Sequence, residues 1–141
     1  MSAGTLLGFD YGNKSIGVAV GHLGTRLAQP LTAVPVYNNE PDWARIGTLI
    51  SEWQPAACVV GLPLNMDDSD NPMTRAAKKF GDRLSGRYNL PVHMVDERLT
   101  SVSAKNALLE AGVSLKRANK AKIDQLAAQT ILQAYLDELP R

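Results

Sequence analysis

The sequence predicts an α/β fold: one mixed sheet of five strands with helices on both of its faces. Three observations favour it. The first third of the chain holds three β-rich segments joined by short links that carry glycine, which is typical of an antiparallel meander. The remainder alternates helical and strand patterns, which is typical of parallel strands joined by helices. Right-handed crossovers between those strands would place helices on both faces of the sheet.

The meander strands are predicted from runs of apolar and β-branched residues. They are expected at Thr5–Phe9, Ile16–Val20 and Arg26–Val36. A turn at Tyr11–Lys14 follows the first strand, and a link at Gly21–Gly24 follows the second. Links this short predict hairpins, in which consecutive strands pair with each other.

The rest of the chain is assigned from hydrophobic spacing and from helix start and stop signals. Trp43, Ile46 and Leu49 have helical spacing, and Asn71 followed by Pro72 offers an N-cap and a first-turn proline. The expected elements are a helix at Pro41–Trp53, a strand at Ala57–Leu62, a helix from Pro72 to about Gly86, a strand at Pro91–Val95, a helix at Thr100–Glu110 and a last helix at Asn119–Leu136.

Length and composition predict a single globular domain over residues 1–141. Hydrophobic residues make up 45% and charged residues 21% of the chain, which excludes a disordered or collagen-like protein. No apolar run approaches the roughly 20 residues of a membrane helix, and no basic residue precedes Lys14, so no secretory signal is expected. The single Cys58 excludes an internal disulfide and a cysteine zinc cage. These features favour a cytoplasmic protein that binds no membrane.

Acidic residues at the expected strand ends are candidates for a catalytic site. Asp10 ends the first strand, where it is either a turn-former or a site carboxylate. Asp96 and Glu97 end the last strand, and alternation puts them on opposite faces of the sheet. Only one of them can therefore point toward a given site, and periodicity does not decide which.

Asp124 carries the most information of the acidic residues. The residues four, seven and eleven positions later are Ala128, Ile131 and Tyr135, so Asp124 shares a helical face with apolar side chains. A carboxylate on a core-facing stripe needs a partner or a metal, because uncompensated burial is costly. The alternatives are an ion pair with Lys120 or a favourable place in the first turn of the helix.

Three carboxylates near one sheet edge would repel one another unless a cation lay among them. Oxygen ligands without Cys or His suit Mg²⁺ or Mn²⁺. Two such ions about 4 Å apart can activate a water and stabilise the leaving oxygen of a phosphodiester. The acidic residues thus indicate a two-metal hydrolytic site, provided that distant segments bring them together.

Four blocks of the sequence, in order and over nearly the whole chain, resemble the YqgF family. The blocks are Asp10-Tyr-Gly-Asn-Lys-Ser-Ile-Gly-Val-Ala-Val, Gly61-Leu-Pro-Leu-Asn-Met-Asp, Asp96-Glu-Arg-Leu-Thr-Ser and Lys122-Ile-Asp-Gln-Leu-Ala-Ala-Gln-Thr-Ile-Leu. The resemblance implies a ribonuclease H-like domain, related to Holliday-junction resolvases, that matures the 5′ end of pre-16S ribosomal RNA. It also implies that Asp10, Glu97 and Asp124 are the catalytic metal ligands, and its Asp-Glu-Arg pattern selects Glu97 over Asp96.

The chain departs from the family pattern at three places. Ser15 stands where members often have arginine, and Gly21-His22 stands where many have a Ser-Asp pair. These two changes bear on substrate contacts more than on metal binding. Junction resolvases of this fold also carry a second helix carboxylate one turn from the first, where this chain has Ala121 and Ala127. That difference disfavours a junction-resolving activity.

Substrate contacts are expected from basic and amide side chains near the acidic site. The stretch from Lys116 to Lys122 holds four cations and no acid, and such cations bind nucleic-acid backbones without sequence preference. The alternative is a solvated loop and helix start, although cations are mildly unfavourable at a helix N-terminus. Asn65 is expected either to contact the substrate or to belong to a turn with only a structural role. The expected substrate-binding residues are Lys14, Asn65, Arg98, Lys116, Arg117, Lys120 and Lys122.

The leading hypothesis is a metal-dependent endonuclease acting on structured precursor rRNA. One alternative is a Holliday-junction-type DNA nuclease. Another is a non-catalytic module that binds nucleic acid, a ribosome-assembly factor or a transcription factor, although clustered negative charge near phosphates would not help a pure binder. The residues themselves do not choose RNA over DNA, because contacts to the 2′-hydroxyl have no readable signature in this sequence.

Overall fold

A computed structural model describes residues 4–65, 67, 69–97 and 117–140 of the chain. The strands are β1 Thr5–Asp10, β2 Ser15–His22, β3 Leu27–Tyr37, β4 Glu40–Pro41, β5 Ala57–Leu62 and β6 Val92–Asp96. The helices are α1 Trp43–Trp53, α2 Pro72–Tyr88 and α3 Arg117–Asp137. The helix predicted at Thr100–Glu110 lies outside the described residues.

The strands form one mixed sheet in the order β4-β3-β2-β1-β5-β6. Strands β1, β2 and β3 pair antiparallel, while β5 pairs parallel to β1 and β6 pairs parallel to β5. This is the predicted meander continued by parallel strands, and the α/β fold with helices on both faces is confirmed.

The sheet has six strands instead of the predicted five. The additional strand β4 is two residues long and pairs with the end of β3. Its hairpin turn places Asn38 and Asn39 at φ 53° and 63°, which asparagine tolerates better than most residues. Because Pro41 belongs to β4, the first helix begins at Trp43 with Asp42 as its N-cap, two residues later than predicted.

The two faces of the sheet are covered differently. The face under α1 and α2, called here the α1/α2 face, buries large side chains such as Phe9, Phe80 and Leu84. The opposite face, called here the α3 face, buries mainly small strand residues such as Ala19 and Val59 beneath the apolar side of α3. Small residues let a helix approach the sheet closely, so the two layers differ in how their atoms fit together.

Side-chain hydrogen bonds connect α3 to backbone groups at the edge of β3. The Gln129 amide donates to the Ala28 carbonyl at 2.9 Å, and the Ala28 backbone N–H donates to the Gln133 side-chain oxygen at 2.9 Å. Arg26 donates to the carbonyl of Leu139, past the end of α3, at 2.8 Å. These bonds satisfy backbone groups at a strand edge and at a helix C-terminus, which would otherwise lack partners, and they fix α3 across the sheet.

Candidate active site

Three carboxylates are buried on the sheet and its covering helix. Asp10, Glu97 and Asp124 are 6%, 7% and 3% exposed, and no other acidic side chain is buried in the part of the chain that the structure describes. Buried carboxylates are rare because losing water disfavours their charge. Their burial therefore calls for an explanation in terms of partners or function.

Asp10 and Asp124 come together around one glycine. Asp10, the last residue of β1, pairs in register with Gly17 of β2, so the Asp10 side chain and the Gly17 hydrogens lie on the same face of the sheet. The backbone carbonyl of Asp124 packs directly on Gly17, in space that a Cβ atom would occupy. The two carboxylate residues thus flank Gly17, from β1 and from α3.

Glu97 lies on the same face as these two residues. The side chains of Glu97 and of Ile131 on α3 both pack against Gly61 of β5. A Cβ atom added at Gly61 would stand 2.7 Å from Glu97 Cγ and 2.6 Å from Ile131 Cδ1. Asp96 alternates to the face of Met94, whose sulfur lies near Gly81 of α2. Periodicity alone left the choice between the two acids open, and the position of α3 now supports Glu97.

Two side chains hold the carboxylate of Asp124. The Ser15 hydroxyl, at the start of β2, donates to Asp124 Oδ2. The Lys120 ammonium donates to Oδ1 at 2.8 Å from one turn earlier on α3, and the Lys120 side chain is 50% exposed. The ion pair that the sequence offered as an alternative is therefore present. It supplies the compensation that a buried carboxylate requires.

Ser15 is the site residue that the sequence analysis missed. In the sequence analysis it stood only as a departure from the family pattern that the chain resembles. In the structure it contacts a carboxylate 109 residues away along the chain. No local pattern signals such a pairing, because a serine in a turn or strand end is common for purely local reasons.

The donor set suits a hard divalent cation, since it offers only carboxylate oxygens on one face. Among residues 4–65, 67, 69–97 and 117–140, no three His, Cys, Asp or Glu side chains stand close enough together to hold one ion. The observed conformation therefore matches a site in which Lys120 carries the positive charge at Asp124. The residue types and the common face fit a metal, and the side chains would have to converge around it.

The expected substrate contacts are only partly within the described residues. Lys14 and Lys122 are exposed, at the β1–β2 turn and on the second turn of α3. Asn65 is exposed too, and its amide donates to Ser69 Oγ at 3.0 Å and accepts from the Asn71 amide at 3.0 Å, so it organises the loop before α2. The side chains of Arg98, Lys116 and Arg117 lie outside the described residues.

A mixed sheet of this topology, with buried carboxylates at the end of β1, directly after β6 and on α3, has the architecture of a ribonuclease H-like nuclease domain. The chain belongs to the RuvX family, whose model is described as Holliday junction resolvase and matches residues 4–138. The resemblance to the YqgF family is thereby confirmed, and with it membership of a nuclease family.

Relatives of similar length match the chain from end to end. A protein of Cronobacter sakazakii is 46% identical over 136 residues, which are 96% of this chain and 98% of the relative. A protein of Escherichia coli O157:H7 is 47% identical over 136 residues, again 96% of this chain and 98% of the relative. Both are named "Putative pre-16S rRNA nuclease".

Solved structures share the fold at low sequence identity. RuvC of T. thermophilus, in complex with a Holliday junction substrate, has a TM-score of 0.55 and 18% identity over 94% of this chain and 92% of that chain. The Fowlpox virus resolvase with Holliday junction DNA has a TM-score of 0.60 and 11% identity over 97% and 99%. In the described part of this chain, no helix has both the length and the apolar character needed to cross a membrane.

Proposed function

We propose that this chain acts as one ribonuclease H-like domain, a metal-dependent endonuclease that matures the 5′ end of pre-16S rRNA in the cytoplasm. The observation that carries the proposal is the burial of Asp10, Glu97 and Asp124 on the one face that α3 covers. Relatives with 46–47% identity carry the pre-16S rRNA name, which supports an RNA substrate.

The three carboxylates would hold two Mg²⁺ or Mn²⁺ ions. Such ions would activate a water and stabilise charge on the leaving oxygen. Asp10 lies beside Gly17 within the sheet and Asp124 lies over Gly17 on α3, so the sheet and α3 would each supply a ligand on a rigid element. Lys120 neutralises Asp124 before substrate and metal arrive. Its half-exposed ammonium is then free to turn to a phosphate oxygen of the RNA.

Cleavage of a 5′-extended 16S precursor RNA with Mn²⁺ or Mg²⁺ tests the proposal. We expect Asp10→Asn, Glu97→Gln and Asp124→Asn each to lower the rate by at least about 100-fold, because each removes a metal ligand. Asp96→Asn is the matched control. It removes the adjacent carboxylate on the other face and should change the rate less than about three-fold.

Three outcomes would contradict the proposal. Equal losses in Glu97→Gln and Asp96→Asn would remove the basis for assigning Glu97. Cleavage that survives in all three site variants would exclude the carboxylate mechanism. RNA binding without cleavage by folded wild-type protein would leave the binding-module alternative. Circular dichroism on every variant separates loss of activity from loss of fold.

A Holliday-junction nuclease is the second candidate, favoured by the family description and the shared resolvase fold. Alanines at positions 121 and 127 oppose it, since no second carboxylate stands one turn from Asp124 on α3. A four-way DNA junction included in the same assay decides between the two. Faster cleavage of the junction than of the RNA would favour this candidate.

A further inference from the structure

A cavity of about 180 Å³ opens on the α1/α2 face, at the end of β1 that carries Asp10. Tyr11, the residue after Asp10, forms part of its wall. Consecutive residues on an extended backbone point to opposite faces of the sheet. The end of β1 therefore presents Asp10 to the carboxylate site and Tyr11 to the cavity. The other residues used here are Asn13, Asn39, Lys79, Phe80 and Arg83.

The walls of the cavity combine aromatic, amide and cationic groups. The Tyr11 ring lies 5.2 Å from the Phe80 ring, and together they form an apolar wall. Asn13 and Asn39 come from two turns, and Lys79 and Arg83 lie one turn apart on α2. Planar apolar surface beside paired cations suits a ligand that is both flat and anionic, as a nucleotide is.

The cavity lies on the most basic element of the described chain. Helix α2 carries five cations and one acid, a side-chain charge of +4, while the whole chain has a net charge of only +1. Lys78 is neutralised by Asp70 at 3.0 Å, and Arg83 contacts Glu40 at 2.5 Å. Lys79 is exposed and has no acidic partner in the described part of the chain. Its charge is thus available to a ligand in the cavity.

The Arg83 ion pair does not close the cavity to anions. Glu40 is 57% exposed and is not part of the cavity wall, and exposed pairs contribute little free energy. Arg83 can therefore exchange Glu40 for a phosphate at small cost. The Arg83 and Arg87 guanidinium groups also stack on Trp43, at 4.7 and 4.3 Å from the ring centroid, which holds Arg83 beside the cavity.

We propose that the cavity is a nucleotide subsite, which holds one nucleotide of the RNA strand that is cut at the carboxylates. Lys79 and Arg83 bind the phosphate, and the Tyr11 ring contacts the base or ribose. The cavity is many times larger than a single water and is open to solvent, so the phosphate and part of one nucleotide can enter it. This inference rests on the proposed nuclease function. It adds that the substrate strand runs from the carboxylates past the end of β1 to the α1/α2 face.

Lys79→Gln tests the subsite, and Lys78→Gln is its control, at the adjacent exposed lysine that pairs with Asp70. Both remove one exposed cation from α2, but only Lys79 lines the cavity. Binding of a fluorescent 5′-extended 16S precursor RNA fragment is measured by anisotropy with divalent ions chelated, across a salt series. One lost phosphate contact should weaken binding about five-fold near 0.1 M salt and reduce the slope of log K against log salt by about 0.7. Lys78→Gln should match wild type within two-fold.

Tyr11→Leu provides a second, uncharged test. Loss of the stacking surface should weaken binding about five-fold or more while leaving the salt slope unchanged. Equal effects of Lys79→Gln and Lys78→Gln, or wild-type affinity in both Lys79→Gln and Tyr11→Leu, would overturn the subsite. If that happens while wild-type protein still cleaves the RNA, only the subsite fails. Wild-type protein that neither binds nor cleaves the RNA would overturn both proposals.

Discussion

The two faces of the sheet are built on opposite packing rules. On the α1/α2 face, large rings interlock: Phe80 contacts Phe9 edge-on at 5.5 Å and stacks with Trp43 at 5.6 Å. On the α3 face, glycines at positions 8, 17, 21 and 61 bring the helix against the strands. The large rings of the α1/α2 face bury much apolar surface, whereas the glycines of the α3 face set how closely the backbone of α3 approaches the strands.

The two layers contribute differently to the stability of the fold and to the geometry of the candidate site. Burial of large side chains supplies free energy of folding, and it tolerates small shifts of the helices that carry them. Backbone contact allows no such shift, and the carboxylate of Asp124 stands on the helix that makes it. The α3 face therefore determines the geometry of the site, while the α1/α2 face supplies most of the apolar burial.

Gly17→Ala should have the largest effect of any single change, because its Cβ would overlap the carbonyl of Asp124. Moving α3 away should lower the free energy of unfolding by about 3 kcal/mol or more and abolish cleavage. Urea denaturation and the cleavage assay measure the two effects. Gly86→Ala is the control: a Cβ at Gly86 has no neighbour within 4 Å, so it should stabilise the protein by about 0.5–1 kcal/mol. Wild-type stability in Gly17→Ala would contradict close packing at α3.

Leu84→Ala tests the other layer. Leu84 is fully buried on α2, and its truncation should lower the free energy of unfolding by about 3 kcal/mol. The cleavage rate should remain within about three-fold of wild type well below the melting temperature, because Leu84 belongs to the core on the face opposite α3 and the carboxylates. A rate that falls in proportion to stability while the protein stays folded would show that the two layers are coupled.

The same contrast explains how much of the molecule the sequence predicts. Apolar residues at regular spacing predict the helices and longer strands of the described residues to within a few residues, because the period of a pattern is a local property. The two-residue strand β4 has no period, so it was missed. Periodicity separates Asp96 from Glu97 by face, but only the position of α3 distinguishes Glu97, which shares a face with Asp10 and Asp124. The Ser15–Asp124 contact joins residues 109 positions apart, which no local signal reports.

Ser15→Ala should have an intermediate effect on the α3 face. The variant removes the hydroxyl donor of a buried carboxylate and should lower the free energy of unfolding by about 2 kcal/mol. Urea denaturation with divalent ions chelated isolates this contribution from metal binding. Ser15→Thr retains the hydroxyl on a strand residue and should recover most of the loss. Equal losses in Ser15→Ala and Ser15→Thr would assign the effect to packing rather than to the hydrogen bond.

Alkaline pH should act on the α1/α2 face with the smallest effect. Burial raises the pKa of the Cys58 thiol to about 12 from a usual value near 9, so the folded state keeps this proton to a higher pH than the unfolded chain. Stability from this group is complete below about pH 9 and is lost as pH rises toward 12, by about 1 kcal/mol between pH 8 and 10.

Urea denaturation across this pH range, with Cys58→Ala as the control, measures the loss. Burial also raises the pKa of Tyr11 and Tyr88 on the same face, so stability should continue to fall above pH 10 in both proteins. Between pH 8 and 10 the variant should show a flatter dependence than wild type, since the thiol is absent. Identical slopes would mean that Cys58 is no better shielded from water than in the unfolded chain. That result would weaken the claim that the α1/α2 face supplies most of the apolar burial.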